Sequence, residues 1–288
     1  MIDRLNFTKM HGNGNDFVVI DEFREAIIPE EVKSKIVRAI CDRRFGVGAD
    51  GLLFVQSSDI ADAKFRYFNS DGSEAEMCGN GIRCFSRYIV EEGYAKEGKI
   101  SVETRVGVLK LNVKREKGYL IRVNMGEIKD ASEDIPVNIG KRRFWGERLK
   151  AGDTVYEVYA VNSGVPHAVI FVDNSELDEV DIMSARSIRY NPIFPNGTNV
   201  NFVSVLSKNE IRIRTYERGV EAETLSCGTG SVACAYVSSA LGYTKPPVRV
   251  VTKGGELTIE FEGKIAYMTG SANRVFDGVL KVEELRIE

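Results

Sequence analysis

Short apolar runs rich in β-branched residues predict strands with turns in FTKMHGNGNDFVVID, ISVETRVGVLKLNV and YLIRVNMG. The pattern returns in VYEVYAVNSG, AVIFVD, VNFVSV, IRIRTYE, VRVVTKG and LTIEFEG. Between strands, residues 30–44 place Val32, Ile36, Val37 and Ile40 at helical spacing, which predicts an amphipathic helix. Segments 77–94 and 226–243 predict two more. In the later one Val232, Ala233, Ala235, Tyr236, Val237, Ala240 and Leu241 leave little polar surface, and a helix apolar nearly all round is a buried one. Gly93 and Gly242 stand where a left-handed glycine would close each helix. The expected class is α+β, each unit a curled mixed sheet around a central buried helix.

The halves of the chain repeat one another. MCGNGIRCFSRYIVEEGY matches SCGTGSVACAYVSSALGY, with Cys-Gly-x-Gly at one end and Gly-Tyr at the same distance from it. FNSDGSEAEMC parallels YERGVEAETLSC with one extra residue in the second copy. FGVGADGLLFV parallels PNGTNVNFVSV more loosely, and GNGNDFVVID parallels GVPHAVIFVD. Coincidence among glycine-rich turns is the plain alternative, but four matches in one order favour two domains of one fold. They would be 1–125 and 126–272, joined near 125–134, with about 273–288 packing back on the first.

A length of 288 residues suits one large or two medium domains. With 43% hydrophobic and 28% charged residues the chain reads as an ordinary globular protein. Its longest apolar runs are far too short to span a membrane, and the opening MIDRLNFTKM lacks a signal-peptide core. A cytoplasmic protein is expected. A net charge of −3, with no dense basic run beyond 141–143, argues against nucleic acid as a partner. Five cysteines, an odd number, without CxxC spacing give neither a disulfide framework nor a zinc knuckle, and two histidines leave no material for a His-rich metal site.

Cys78 and Cys227 each open a predicted helix, where free N–H groups and the positive dipole end gather and favour a thiolate. The dipole contributes only about 0.3–1 kcal/mol, so exclusion of water must add to it. The neighbouring glycines would expose backbone N–H groups around Gly79–Asn80 and Gly228–Thr229 to an anion. Two such helix ends on one carboxylate would set a cysteine on each face of an α-carbon, one to remove its proton and the other to return one. Cys41, Cys84 and Cys234 read as small buried residues.

At these residues the sequence resembles diaminopimelate epimerase through nearly its whole length: KMHGNGNDFVVID, RRFGVGADGLLFV, FNSDGSEAEMCGNGIRCFSRY, GVPHAVIFV, FPNGTNVNFV and YERGVEAETLSCGTGSVACA occur in order. The resemblance implies interconversion of LL- and meso-diaminopimelate in lysine biosynthesis, with no metal and no pyridoxal phosphate, by a homodimer. It implies Cys78 as proton donor and Cys227 as acceptor in the LL-to-meso direction. Gly79, Asn80, Gly228 and Thr229 would hold the reacting carboxylate. Asn15, Asn69, Asn199, Glu217 and Arg218 would meet the remaining polar groups, and His167 and Glu217 would adjust the thiols. A guanidinium suits a distal carboxylate, and Glu217 a distal ammonium.

The plain alternatives make Asn15 and Asn69 turn residues, His167 a half-buried histidine and Glu217–Arg218 a solvated pair. Two positions depart from many relatives: Val165 stands in place of Asn, and Gly51 where some carry Gln. Both put affinity and substrate range in question, not the acid–base chemistry. The nearest competing functions are a proline racemase or hydroxyproline epimerase, which has no use for Glu217–Arg218, and a phenazine-pathway-like isomerase, which lacks the cysteine pair. A non-catalytic amino-acid-binding protein would carry two thiols as a needless oxidation hazard.

Overall fold

The computed structural model describes residues 3–287; residues 1–2 and 288, the extreme ends of the terminal segments read from the sequence, lie outside the described residues. There are two compact units. One runs through Val123 and resumes at Gly270, and the other is Asn124–Thr269. The class is α+β, with much mixed sheet and few helices.

In the first unit Arg4–Gly12 and Asn15–Glu22 form an antiparallel hairpin. Its connecting residues, Asn13 and Gly14, both have positive φ (53° and 82°), which an Asn-Gly pair accepts with least strain. Asn15–Glu22 then pairs in parallel with Gly51–Gln56, and that strand antiparallel with Ala63–Asn69. Gly98–Thr104 joins in parallel, and Gly107–Arg115 and Tyr119–Glu127 extend the sheet antiparallel. On the other side Arg4–Gly12 pairs with Asn273–Lys281.

The parallel strands explain their unbroken apolar sequence, because both faces are covered. Val18, Ile20, Leu52 and Phe54 pack with Ile36, Val37 and Ile40 of helix α1 (Glu30–Cys41). Phe17 and Leu53 point the other way and lie beside Gly81 of helix α2 (Gly79–Glu91). Helix α1 ends at Cys41 rather than Arg44, because the Asp42 carboxylate accepts the N–H groups of Arg44 (2.7 Å) and Phe45 (2.8 Å) and turns the chain.

The second unit repeats the plan. Trp145–Ala151, Thr154–Asn162 and Pro166–Phe171 pair antiparallel in succession. Pro166–Phe171 pairs in parallel with Asn199–Ser207, followed by Glu210–Glu217 antiparallel, Val248–Thr252 parallel and Gly255–Glu262 antiparallel. Ala168, Ile170, Val200 and Phe202 pack with Ile182, Ala185 and Ile188, in a 3-10 turn and the one-turn helix α3 (Arg186–Arg189). That short segment takes the place of α1. Val169 and Val203 face helix α4 (Gly228–Ala240), whose Val232, Ala233, Cys234, Ala235 and Val237 are buried. Each fully buried aliphatic side chain of this kind stabilises the fold by about 1.5–3 kcal/mol.

The parallel pairs share one register. Phe17 lies opposite Gly51, and Val169 opposite Asn201. The sequence alignment of the two halves matches the same residues, so the duplication extends to the strand that carried its loosest match. Gly93 and Gly242, just beyond α2 and α4, have φ of 78° and 77°.

Candidate functional site

Cys78 and Cys227 are the N-caps of α2 and α4. Both have extended backbone angles, and each sulfur accepts the N–H of the third residue onward, Gly81 or Gly230, at 3.4 Å. A side-chain acceptor at that position satisfies one of the N–H groups a helix start leaves unpaired. Gly79 and Gly228 follow as the first helical residues. Glycine fits at 230 because a Cβ would stand 2.6 Å from Asn201 Oδ1 and 3.3 Å from the Cys227 sulfur.

The side chains beside the two sulfurs differ. In the first unit the Cys78 thiol lies 3.7 Å from Asn15 Oδ1, which also accepts from Asn80 Nδ2 at 3.2 Å. The orientation of Asn15 is set from behind, since its Nδ2 donates to Asp50 Oδ2 at 2.7 Å. That leaves only a carbonyl oxygen toward the sulfur, so Cys78 is the donor in this contact. Asp50 is held in turn by Arg43 at 2.7 Å, and Arg43 also clasps Asp16 through both terminal nitrogens, at 3.1 and 2.7 Å. Hydrogen bonds from Arg43 and Lys9 outweigh burial and hold the Asp16 carboxyl well below the usual carboxylate range.

In the second unit the Cys227 sulfur lies 3.4 Å from the Thr229 hydroxyl, which meets His167 Nε2 at 2.9 Å. His167 is fully buried, and burial, with the Arg218 charge second, lowers its pKa to about 3. It is therefore a neutral imidazole. Ser163 Oγ donates to the Thr229 carbonyl at 2.8 Å. By the alignment of the repeats, Asn15 corresponds to His167 and Asn80 to Thr229. One framework thus carries an amide pair beside one thiol and an imidazole–hydroxyl pair beside the other.

The remaining residues expected from the sequence lie around these clusters. Asn199 is buried; its Oδ1 accepts the backbone N–H of Arg218 at 2.8 Å, and its Nδ2 donates to Pro166 O at 3.1 Å. Its amide anchors the segment that presents Arg218. Arg218 is half-buried, and its Nη1 donates to Asn196 O at 2.9 Å. Burial, then Arg189, lowers its pKa. Half-buried Glu217 accepts from Thr224 Oγ1 at 2.8 Å. Asn69 accepts from the Tyr67 hydroxyl at 2.8 Å and donates to Ser73 Oγ at 3.0 Å. These bonds tie Asn69 to the turn that follows its strand.

Gly51 sits under that tyrosine: a Cβ there would come within 2.6 Å of both the Tyr67 ring and the Phe68 carbonyl oxygen. Sequence reasoning passed over Asp50, Tyr67, Arg83 and Asn201. Asn201 carried a usable signal, because Asn-Val-Asn puts two amides on one strand face. Fully buried Arg83 carried none; it donates to Gly79 O at 3.2 Å, Asn13 Oδ1 at 3.0 Å and Ser271 O at 3.0 Å. Among the described residues no group of three or more His, Cys, Asp or Glu side chains could hold a metal ion, and no helix is long and apolar enough to cross a membrane.

A family model described as diaminopimelate epimerase matches residues 7–130 and 159–275. A diaminopimelate epimerase of Archaeoglobus fulgidus is 59% identical over 285 residues, covering 99% of each chain. One of Methanocella arvoryzae is 51% identical, covering 97% of this chain and 98% of its own. Among solved structures, a Bacillus anthracis phenazine biosynthesis protein of the PhzF family superposes with a TM-score of 0.70 at 16% identity, covering 97% of this chain and 99% of that one. A probable proline racemase of Agrobacterium radiobacter gives 0.67 at 16% identity, covering 95% and 92%. At such identities these two similarities speak to the fold alone.

Proposed function

This chain belongs to the diaminopimelate epimerase family, and we propose that Cys78 and Cys227 are the acid–base pair of its reaction. The enzyme is an isomerase that interconverts LL- and meso-2,6-diaminopimelate in lysine biosynthesis. The observation that carries the assignment is the opposite polarity of two otherwise matched cysteines. Cys78 faces a carbonyl oxygen and is kept as a thiol, whereas Cys227 faces a hydroxyl that can donate to a thiolate.

In the LL-to-meso direction the Cys227 thiolate takes the α-proton, forming its S–H bond as the C–H electron pair stays on carbon. The Cys78 thiol then delivers its proton to the opposite face, leaving Cys78 as thiolate. Backbone N–H groups at Gly79–Asn80 and Gly228–Thr229 hold the α-carboxylate and stabilise the negative charge that spreads onto it. Asn15, Asn69, Asn199, Glu217 and Arg218 meet the remaining polar groups of the substrate, Arg218 the distal carboxylate and Glu217 the distal ammonium. His167 adjusts Cys227 through Thr229, and Glu217 contributes to the same electrostatic setting. The assignment needs neither metal nor pyridoxal phosphate, since thiols and N–H groups supply every step. The proposed domains are the duplicated halves, 1–125 with about 273–288 and 126–272. We place the enzyme in the cytoplasm as a homodimer without nucleic-acid or membrane partners, a reading supported by its family.

The test is incorporation of solvent deuterium at the α-carbon, together with stereoisomer analysis, for LL-diaminopimelate and L-proline. Exchange and inversion of diaminopimelate alone are expected. Exchange of proline alone would move the chain to the proline racemase reading, and exchange of neither would leave a binding protein.

A further inference from the structure

We infer that Asn201 is a positioning residue that fixes the tautomer of His167 and thereby aims the Thr229 hydroxyl proton at Cys227. The inference rests on the proposed role of Cys227 as proton acceptor.

Asn201 is fully buried, and its amide can be oriented in only one way. Nδ2 lies 2.9 Å from Ala168 O, which can only accept, and Oδ1 takes the Thr215 hydroxyl at 3.0 Å. The second Nδ2 hydrogen is thereby directed at His167 Nδ1, 3.1 Å away. That ring nitrogen is an acceptor and bears no proton. A neutral imidazole then carries its proton on Nε2, and burial keeps His167 neutral. Nε2 has two neighbours, Thr229 Oγ1 at 2.9 Å and the more distant Asn199 Nδ2 at 3.5 Å; Nε2–H donates to the nearer, so the threonine's own proton is left for the Cys227 sulfur at 3.4 Å. Arg218 is the charged group that acts on the ring, and its positive charge also opposes a second proton there.

The opposite tautomer would reverse every step. An Nε2 lone pair would draw the Thr229 proton, and an oxygen lone pair would face the sulfur. The first unit gives the contrast, because Gly51 occupies the position equivalent to Asn201 and has no side chain to offer. There Asp50 orients Asn15 instead, and the chain ends on an acceptor.

Asn201→Asp tests this, since a carboxylate accepts at both oxygens and draws a proton onto Nδ1. Nitrogen-15 NMR of the imidazoles is readily assigned in a chain with two histidines. The wild type should show His167 protonated on Nε2, and the variant should show a proton on Nδ1. The pH midpoint of Cys227 alkylation, mapped by mass spectrometry, should rise by about one unit, a tenfold loss of thiolate. The midpoint at Cys78 should stay unchanged. Thr229→Val, which removes the hydroxyl but keeps the shape, should raise the Cys227 midpoint without changing the tautomer, and serves if the aspartate variant does not fold. An Nδ1–H imidazole in the wild type, or an unmoved Cys227 midpoint in the folded variants, would overturn the inference. Failure of the acid–base reading has a separate signature, full epimerisation by Cys227→Ala.

Discussion

Burying a neutral histidine couples stability to acid, and His167 makes the coupling measurable. Its pKa is lowered to about 3 in the folded protein, against an ordinary 6.5. Above 6.5 neither folded nor unfolded chain is protonated there, and the stabilisation is fully present. As pH falls from 6.5 toward 3, the unfolded chain binds one proton that the folded chain refuses. Stability then falls by about 1.4 kcal/mol per pH unit. The loss reaches about 2–3 kcal/mol near pH 4.5 and is on the order of 5 kcal/mol once pH passes the folded value. The assay is urea unfolding from pH 7 to 4 of wild type and His167→Gln, followed by fluorescence of Trp145. That is the chain's one tryptophan, and it lies in the same unit as His167. Stability lost at all pH values by the substitution cancels in the slope, and other titrating groups cancel in the difference. Wild type should lose stability more steeply with acid than the variant. Parallel profiles would refute the buried neutral imidazole, and with it the physical basis for the Thr229 relay.

Cys78→Ala and Cys227→Ala should each abolish epimerisation with unchanged circular dichroism; near-wild-type turnover by either would remove the two-base mechanism. Mild oxidation should join Cys78 to Cys227, inactivate the enzyme reversibly and be blocked by substrate, with peptide mapping as readout. Cys41, Cys84 and Cys234 should stay reduced, because burial pushes the first two thiols up to about 12 and the third well above its ordinary value. A bridge between any other pair would mean that the two cysteines do not share a carbon. Arg83→Met should cost about 1–3 kcal/mol in urea unfolding, since the Asn13 side chain and the Gly79 and Ser271 carbonyls lose a charged donor. A loss under about 1 kcal/mol would show that those acceptors find other partners. Activity should survive dialysis against a chelator and treatment with carbonyl reagents; loss restored by added metal would contradict the thiol mechanism.

Much of this architecture was legible because local chemistry and packing agree. The Cys-Gly-x-Gly segments read as helix starts, and Cys78 and Cys227 do cap them. The apolar sequence around Val232–Val237 signals a buried α4. Trp145–Ala151 escaped notice because its exposed, charged positions blur the alternation. The stop of α1 depends on one Asp42 carboxylate, a choice that periodicity does not register. In the site, residue types and spacing single out the cysteines, but not which neighbour donates to which. That direction depends on Asp50 behind Asn15 and on Asn201 behind His167, groups brought near only by the pairing of strands distant in sequence.

Gly51 looks like a vacancy, yet it constrains what this position can accept. A side chain there meets the Phe68 backbone and the Tyr67 ring together. The tyrosine cannot be sacrificed freely, because its hydroxyl holds Asn69. A side chain at position 51 therefore requires strand 63–69 to shift or position 67 to change as well. Chimaeras with a protein that carries a side chain at position 51 should fold less well when they exchange only one of the strands Gly51–Gln56 and Ala63–Asn69 than when they exchange both.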